Sequence, residues 1–293
     1  MNTRHRFTLV LMLMAFVLAF IETTTSTSFG SVTPSEKDLI RAAKSSGFVP
    51  ESVGARPDGS TNFAVEFSNC VESIGVTLVA TDKARALVPT EFHLVGEAAP
   101  VTPLVVRTAR CDIAVGGQRP NSGSITQVGL VVVPPDFTGD INNYTLWYYT
   151  TDAELANHLV RLGVGAQHVQ NITYDYVPGA MGNPVPVLVN VPRPGDPMFS
   201  LAGTVTRSEV PSGSFVANWW QSGRRGSVKM NTVVPAIYIG GANLTLTTDP
   251  SNELGQLIGG GSTGFAIVQQ FNTFATAHME VSVIGHEGLG AGQ

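Results

Sequence analysis

The chain has 293 residues and a formal net charge of −5 at pH 7, and charged residues make up only 13% of it. A mildly acidic chain without a basic run is unsuited to nucleic acid or to an anionic membrane surface, so we expect neither as a partner. Hydrophobic residues make up 43% of the chain, which excludes a disordered protein, and its many glycines and prolines indicate a globular β protein with many turns.

The N-terminus has the pattern of a secretory signal peptide. Arg4 and Arg6 precede an apolar run that reaches Ile21, and small hydroxylated residues follow as far as Ser28. The apolar run is shorter than the ~20 residues that a spanning helix needs, so we predict cleavage after residue 28 rather than retention as an anchor. No later segment is long and apolar enough to cross a bilayer, so the mature protein is predicted to be secreted, with no membrane partner.

The predicted elements after this leader are mostly strands. Helical spacing of apolar residues, together with capping or terminating residues, predicts short helices at 34–46, 83–87, 152–162 and 252–258. Alternating or continuous apolar segments predict strands at 73–80, 92–95, 104–115, 124–133, 144–149, 171–177, 185–191, 199–205, 215–220, 228–239, 243–247, 265–271 and 277–284. Because no repeat or low-complexity linker interrupts them, we predict one β domain over residues 29–293, with its core at 60–284.

The chain contains two cysteines, Cys70 and Cys111. In a secreted protein such a pair can form one disulfide, and the alternative is two separate buried thiols. A bridge would close a loop of about 40 residues and stabilise the fold by roughly 3–4 kcal/mol. Two cysteines exclude a cysteine-built zinc site, and the histidines are not at metal-ligand spacing, so we predict no metal and no other cofactor.

Three sequons could carry glycans if the protein is secreted by a eukaryotic cell. They begin at Asn143, Asn171 and Asn243. Each lies in or beside a predicted strand, so the use of each depends on whether its side chain is exposed.

Several segments resemble, in their order and spacing, those of the acetoacetate decarboxylase family. The aromatic strand that contains Trp147 is followed by the helix at 152–162 and by a loop that carries His168, as in the central segment of that family. The segments at 81–89, 125–129 and 240–258 resemble three further elements. The resemblance covers most of residues 70–284 and implies a mainly β fold with a few short helices, an antiparallel β-barrel or double sheet that encloses an apolar cavity.

The family's catalytic groups are mostly replaced in this chain. In that family one of two adjacent lysines attacks a ketone, and the iminium that forms accepts the electrons released by decarboxylation. The matching positions here hold His168 and Val169, the strand acid is replaced by Gln127, and Arg161 is retained. Since imidazole forms no stable iminium, the resemblance implies the cavity of the family without its Schiff-base decarboxylation.

Another lysine could in principle supply the amine. Lys229 is the candidate, because Arg224 and Arg225 lie close in sequence and cationic neighbours lower the pKa of an amine. It stands between Val228 and Met230 in a predicted strand, so we expect its side chain to point away from theirs, into solvent.

Three functions are consistent with the sequence. The first is binding of a small, mostly apolar keto or carboxylic molecule, with Trp147 either lining the pocket or packing in the core. The polar residues predicted to orient this ligand are Gln127, Arg161, Gln167 and His168. The second is lyase-type or cyclase-type catalysis with His168 as the catalytic general acid or base. The third is a structural secreted protein whose interior is filled by core side chains; no oligomeric state is predicted.

Overall fold

The computed structural model describes residues 62–180, 182–193 and 196–285. All of these residues fall within one unit of the chain, Ala55–Gln293. The predicted signal peptide, its cleavage point and the predicted helix at 34–46 lie outside the described residues.

Twelve strands and three short helices make up the described part of the chain. The strands are β1 (Phe63–Ala80), β2 (Val101–Val115), β3 (Asn121–Val131), β4 (Ile141–Thr150), β5 (Ala166–His168), β6 (Thr173–Tyr176), β7 (Val185–Arg193), β8 (Asp196–Thr206), β9 (Gly213–Gly223), β10 (Gly226–Thr248), β11 (Ser262–Gly264) and β12 (Val268–Ile284). The helices are α1 (Thr81–Arg85), α2 (Ala153–Leu162) and α3 (Glu253–Ile258). None of these helices has the length and apolar character that a membrane span requires.

Seven of the strands close into a barrel. They follow one another in the order β12, β1, β2, β3, β4, β9 and β10, and β10 pairs again with β12 to complete the ring. Neighbours in the ring are antiparallel, except that β4 and β9 are parallel. The predicted fold class, a mainly antiparallel β-barrel with few helices, is confirmed.

A second layer covers part of the outside of the barrel. The C-terminal part of β10 extends beyond the ring and pairs with β8, and β7 and β6 continue this outer sheet. The hydroxyl of Tyr174 in β6 lies 2.6 Å from the hydroxyl of Ser73 in β1, so the outer sheet packs directly over that barrel strand. The barrel and the outer sheet together form the double-sheet arrangement that the resemblance implied.

Two apolar clusters lie on the two sides of the barrel wall. The outer cluster includes residues of the outer sheet such as Val189 and Leu201, whereas the interior cluster contains none from β6, β7 or β8. Along β2, Val105 and Ala109 belong to the interior cluster, while Val106 belongs to the outer one. Because strand side chains alternate between faces, every second residue of the ring points into the barrel.

Helix α2 packs its apolar face on the interior cluster. Leu155 and Leu159 are fully buried there. The Asp152 side chain accepts a hydrogen bond of 2.8 Å from the backbone N–H of Leu155, which caps the N-terminus. Gly163 ends the helix with φ = 97°, a conformation that glycine adopts without steric cost. The predicted helix is confirmed with its start shifted by one residue.

Of the two alternatives that the sequence left open for the cysteines, the disulfide is the one present. Cys70 of β1 is bonded to Cys111 of β2 in the barrel interior. The two strands change register between Ser68 and Val71, where Asn69 has φ = 54°. This β-bulge lies immediately before Cys70, so the bridge joins the two strands beside their one irregular point of pairing.

Several predicted elements differ from the structure. The predicted strands at 228–239 and 243–247 form one strand, β10, those at 265–271 and 277–284 form one strand, β12, and the short strands β5 and β11 were not predicted. Strand β1 begins at Phe63, not at residue 73, because polar residues such as Glu66 and Asn69 obscure the apolar alternation of its first half. The predicted strand at 92–95 is wrong: only Leu94 forms a single bridge, to Val132, and the neighbouring backbone makes turn hydrogen bonds such as that from Phe92 N–H to the Pro89 carbonyl.

Candidate functional site in the barrel interior

Five polar side chains occupy neighbouring strands on the inner side of the barrel. We call them the polar belt: Asn272 of β12, Glu72 of β1, Arg107 of β2, Gln127 of β3 and Tyr148 of β4. The sheet register aligns them, because Asn272 is opposite Glu72, and Gln127 is opposite both Arg107 and Tyr148. The belt therefore runs across five consecutive strands of the ring.

Hydrogen bonds join four members of the belt. Arg107 Nε donates to Glu72 Oε1, and Arg107 Nη1 donates to Gln127 Oε1. Asn272 Nδ2 donates to Glu72 Oε2 over 2.8 Å. The side chains of Glu72 and Arg107 are only 5% and 14% exposed, so this is a buried ion pair whose carboxylate is bonded at both oxygens.

Several polar atoms of the belt have no partner. Asn272 Oδ1 is buried and makes no hydrogen bond. Within the described part of the chain, Arg107 Nη2, Gln127 Nε2 and the Tyr148 hydroxyl also make none. The belt therefore has unused hydrogen-bonding capacity in three donor groups and one acceptor, and the acceptor, Asn272 Oδ1, is fully buried, where polar groups are nearly always paired.

Tyr148 lies at one end of the belt, and its hydroxyl is uncharged. Burial raises the pKa of its hydroxyl well above the ordinary value, and the positive charge of Arg107 opposes this rise only in part. The hydroxyl therefore stays protonated at neutral pH and can donate a hydrogen bond. Apolar side chains surround the belt in the same interior; they include Ile74, Val105, Ile125, Trp219 and Phe274.

No lysine among the described residues lies in the barrel interior. Lys83 is exposed on α1 and donates to the Gln256 carbonyl at 3.0 Å. Lys229 points away from Val228 and Met230, as expected, but it is 8% exposed rather than solvated. The loop after β3 covers it, and its Nζ lies 2.6 Å from the Asp136 carboxylate. Lys37 and Lys44 lie outside the described residues.

The structure places the predicted ligand residues in three different environments. Gln127 is 2% exposed and belongs to the polar belt. Trp147 lines a shallow pocket of about 180 Å³ that also contains Tyr144, Gln221 and Glu253. The remaining three, Arg161, Gln167 and His168, have exposed side chains.

His168 is not brought to Gln127. It ends β5, a three-residue strand that pairs with β4 in parallel, opposite Thr150. Neither it nor Arg161 or Gln167 makes a hydrogen bond to the polar belt. The roles assigned to these three residues from the sequence therefore stay predictions, without support from the geometry of the belt.

Four members of the belt were not found from the sequence: Glu72, Arg107, Tyr148 and Asn272. For two of these residues, the sequence contains a pattern from which burial with a partner could have been predicted. Glu72 and Arg107 are charged residues within strongly apolar, β-branched segments, and a charge in such a segment is buried with a partner more often than it is unpaired. Tyr148 and Asn272 give no such signal.

The three sequons also differ in exposure. The Asn143 side chain is 1% exposed, whereas those of Asn171 and Asn243 are exposed. A glycan cannot be attached to a side chain that is enclosed in the folded protein, so Asn143 is unsuited to carry one in the native state.

Comparison with known proteins relates the chain to others by fold alone. No protein-family model and no curated protein matches it. The enduracididine biosynthesis enzyme MppR, solved with HEPES buffer bound, is similar to it, with a TM-score of 0.50 and 11% identity, over 80% of this chain and 94% of MppR.

Two further solved structures have lower scores. Acetoacetate decarboxylase from Legionella pneumophila has a TM-score of 0.49 and 11% identity, over 89% of this chain and 98% of that one. An acetoacetate decarboxylase-like enzyme from Sphingomonas wittichii RW1 has the same score and identity, over 78% and 96%. The fold implied by the sequence resemblance, a mainly antiparallel β-barrel with a second sheet, is confirmed by the strand order itself.

Proposed function

Starting from an acetoacetate decarboxylase-like fold with a polar belt inside its barrel, we propose that the protein binds a small, mostly apolar carbonyl compound there, without forming a Schiff base. The observation that carries this proposal is the set of unpaired polar atoms of the belt, above all the buried Asn272 Oδ1. The apolar side chains around the belt supply affinity, and the belt fixes the orientation of the ligand.

Charge balance favours a ketone over a carboxylic acid as the ligand. Glu72 and Arg107 are ion-paired, so the belt is neutral as a whole. A carbonyl oxygen accepts hydrogen bonds from Tyr148 and from Arg107 Nη2 without adding charge. A carboxylate would bring an unbalanced negative charge into the buried interior, which costs free energy.

The environment of the lysines supports binding without a covalent bond. Schiff-base chemistry needs an unprotonated amine that faces the ligand. Lys229 is held by the Asp136 carboxylate on the outer side of the barrel wall, 2.6 Å from its Nζ, and does not face the belt. In the sequence resemblance, the positions of the family's paired lysines correspond to His168 and Val169.

We also propose that the protein acts outside the cell. The N-terminal segment has the signal-peptide pattern, and the disulfide between Cys70 and Cys111 supports an oxidising compartment. A disulfide bridge on the interior side also stiffens the wall of the barrel close to the belt.

A matched pair of ligands and a matched pair of variants test the binding proposal. Calorimetric titration with 2-heptanone and heptanoate compares a ketone with a carboxylate of the same chain length. Tyr148→Phe removes one hydroxyl from the belt, and Tyr149→Phe removes one from the outer cluster. We expect tighter binding of the ketone, weakened about tenfold by Tyr148→Phe and unchanged by Tyr149→Phe.

Two outcomes would contradict the proposal. If neither ligand binds and Tyr148→Phe is as stable as the wild type or more so, the interior is a filled core and the protein is structural. If borohydride with the ketone yields an adduct on a lysine, the protein uses Schiff-base chemistry after all. Native mass spectrometry of the secreted protein, carried out alongside, identifies any small molecule that it retains.

A further inference from the structure

A second polar cluster lies on the other side of the barrel wall, under the outer sheet. It consists of Tyr176 in β6, Arg207 immediately after β8 and Arg110 in β2. Tyr176 and Val205 are buried in the outer cluster, so the side of the outer sheet that carries them faces the barrel. Arg207 follows Val205 by two residues and shares that side. The Tyr176 ring packs on the Phe271 ring of β12, with 4.8 Å between centroids.

Polar atoms of this cluster are buried without partners. The Tyr176 hydroxyl and Arg207 Nε make no hydrogen bond, and Tyr176 is 7% exposed. Arg110 is fixed by the Tyr174 backbone, donating from Nη1 to its carbonyl over 3.1 Å, and its guanidinium lies 5.8 Å from the centre of the Tyr174 ring. These contacts hold Arg110 in place but leave its charge without a counter-ion.

The cluster carries two positive charges and no paired acid. Within the described residues, neither Arg110 nor Arg207 forms an ion pair with a carboxylate. Asp112 is the nearest acid along β2, and its carboxylate accepts a hydrogen bond of 2.8 Å from the Asn69 amide. Glu72 lies on the interior side of the wall with Arg107, and Asp175 is exposed on β6.

The electrostatics agree with this geometry. Burial raises the pKa of the Tyr176 hydroxyl, and the charges of Arg207 and, more weakly, Arg110 oppose that rise. The charged groups that act on Tyr176 are therefore both cations. The two guanidinium groups present donors only, and the phenolic hydroxyl can donate as well, which is an arrangement that binds an oxyanion.

We propose that Arg110, Arg207 and Tyr176 bind a small oxyanion, a phosphate or sulfate group, between the barrel and the outer sheet. The anion would accept hydrogen bonds from Arg207 Nε and the Tyr176 hydroxyl and would balance the two positive charges. It would also connect β8 and β6 of the outer sheet to β2 of the barrel. Since Arg207 Nε and the Tyr176 hydroxyl are buried, we expect the free ion to fit better than an ester.

Titration with inorganic phosphate tests this site, with sodium chloride used to hold the ionic strength constant. Isothermal calorimetry measures the affinity, and the melting temperature measures the coupled stabilisation. We compare Arg207→Gln and Tyr176→Phe with the wild type. Arg225→Gln is the matched control, because Arg225 is an exposed arginine and its replacement causes the same change of charge.

We expect phosphate to bind the wild type and Arg225→Gln with equal affinity. We expect its affinity for Arg207→Gln to be lower by at least about tenfold. Tyr176→Phe weakens binding by a smaller factor and serves as the test if Arg207→Gln does not fold. Titration with sulfate and with glycerol phosphate then separates a free ion from a phosphomonoester as the ligand.

Equal phosphate binding by Arg207→Gln and Arg225→Gln would overturn the proposal, as would a wild type that responds no more to phosphate than to chloride. The result is independent of the carbonyl site, because Arg207→Gln should bind 2-heptanone as the wild type does.

Discussion

Arg107 lies directly opposite Gln127 in the β2–β3 ladder, and its Nη1 donates a hydrogen bond to the Gln127 amide oxygen inside the barrel. The amide leaves the charge of the belt balanced between Arg107 and Glu72. An acid at position 127, as the family resemblance would place there, makes the belt negative. The residue at position 127 therefore determines the net charge of the polar belt.

The variant Gln127→Glu tests that charge balance. It places two carboxylates beside one guanidinium, so we expect the pKa of the coupled pair to rise above that of an exposed glutamate. A carboxyl group whose folded pKa is raised loses stabilising free energy as the pH rises through its unfolded pKa of about 4.3. The variant should be less stable than the wild type by about 1–3 kcal/mol at neutral pH.

Urea unfolding at about pH 4 and about pH 7 measures this effect, and the difference between the variant and the wild type should shrink at the lower pH. Gln127→Met is the matched control, since it has a similar size without charge. A Gln127→Glu protein with the same pH dependence as Gln127→Met would contradict the predicted coupling.

Replacing one partner of the Glu72–Arg107 ion pair should lower the free energy of unfolding more than replacing both partners together. Glu72→Gln leaves the Arg107 charge buried without a counter-ion, and we expect a loss of about 3–5 kcal/mol in the free energy of unfolding. The double variant Glu72→Gln with Arg107→Met should recover part of this loss. Urea unfolding of the wild type, both single variants and the double variant measures the coupling, and additive losses would show that the pair does not interact.

The disulfide should stabilise the protein measurably. Its cysteines are separated by 41 residues in sequence, and closing a loop of this size is worth about 3–4 kcal/mol. Replacing both Cys70 and Cys111 by Ala should lower the free energy of unfolding by about that amount. A reducing agent should destabilise the wild type to a similar degree and leave the double variant unchanged; equal sensitivity of the two proteins would show that the bridge does not form.

Four buried tyrosines should make the fold sensitive to alkali. Burial raises the pKa of the hydroxyls of Tyr144, Tyr148, Tyr174 and Tyr176. Above the ordinary tyrosine pKa of about 10 the unfolded chain loses protons that the folded protein retains, so the stability falls as the pH rises. Unfolding measured from about pH 8 to about pH 11 should show this decline, with a shallower slope for Tyr148→Phe; identical slopes would be evidence against a buried neutral hydroxyl at this position.

Glycan occupancy should follow side-chain exposure. If the protein is secreted from a eukaryotic host, Asn171 and Asn243 are the expected acceptors, and Asn143 is not, because it is enclosed in the fold. Mass spectrometry of glycopeptides from folded, secreted protein reports the occupancy of each site. Folded protein with a glycan at Asn143 would mean that this part of β4 is more accessible than the structure has it.

Local patterns in the sequence were enough for many of the elements. Helix α2 was found from the spacing of its apolar residues, a signal that acts within a few residues. Most strands were found from alternation, and the order of elements resembled one family closely enough to indicate the barrel. The resemblance would place the family's paired lysines at positions 168 and 169, and the histidine and valine found there are visible without any structure.

The site itself was decided by the tertiary structure. Glu72 and Asn272 are 200 residues apart in sequence, and they meet because the barrel closes by pairing β12 with β1. Likewise, Arg110 and Tyr174 come together because the outer sheet folds back over the barrel. Sequence alone specifies which residues alternate within a strand, but the side of the wall that each alternating set faces depends on register and closure, which long-range pairing fixes.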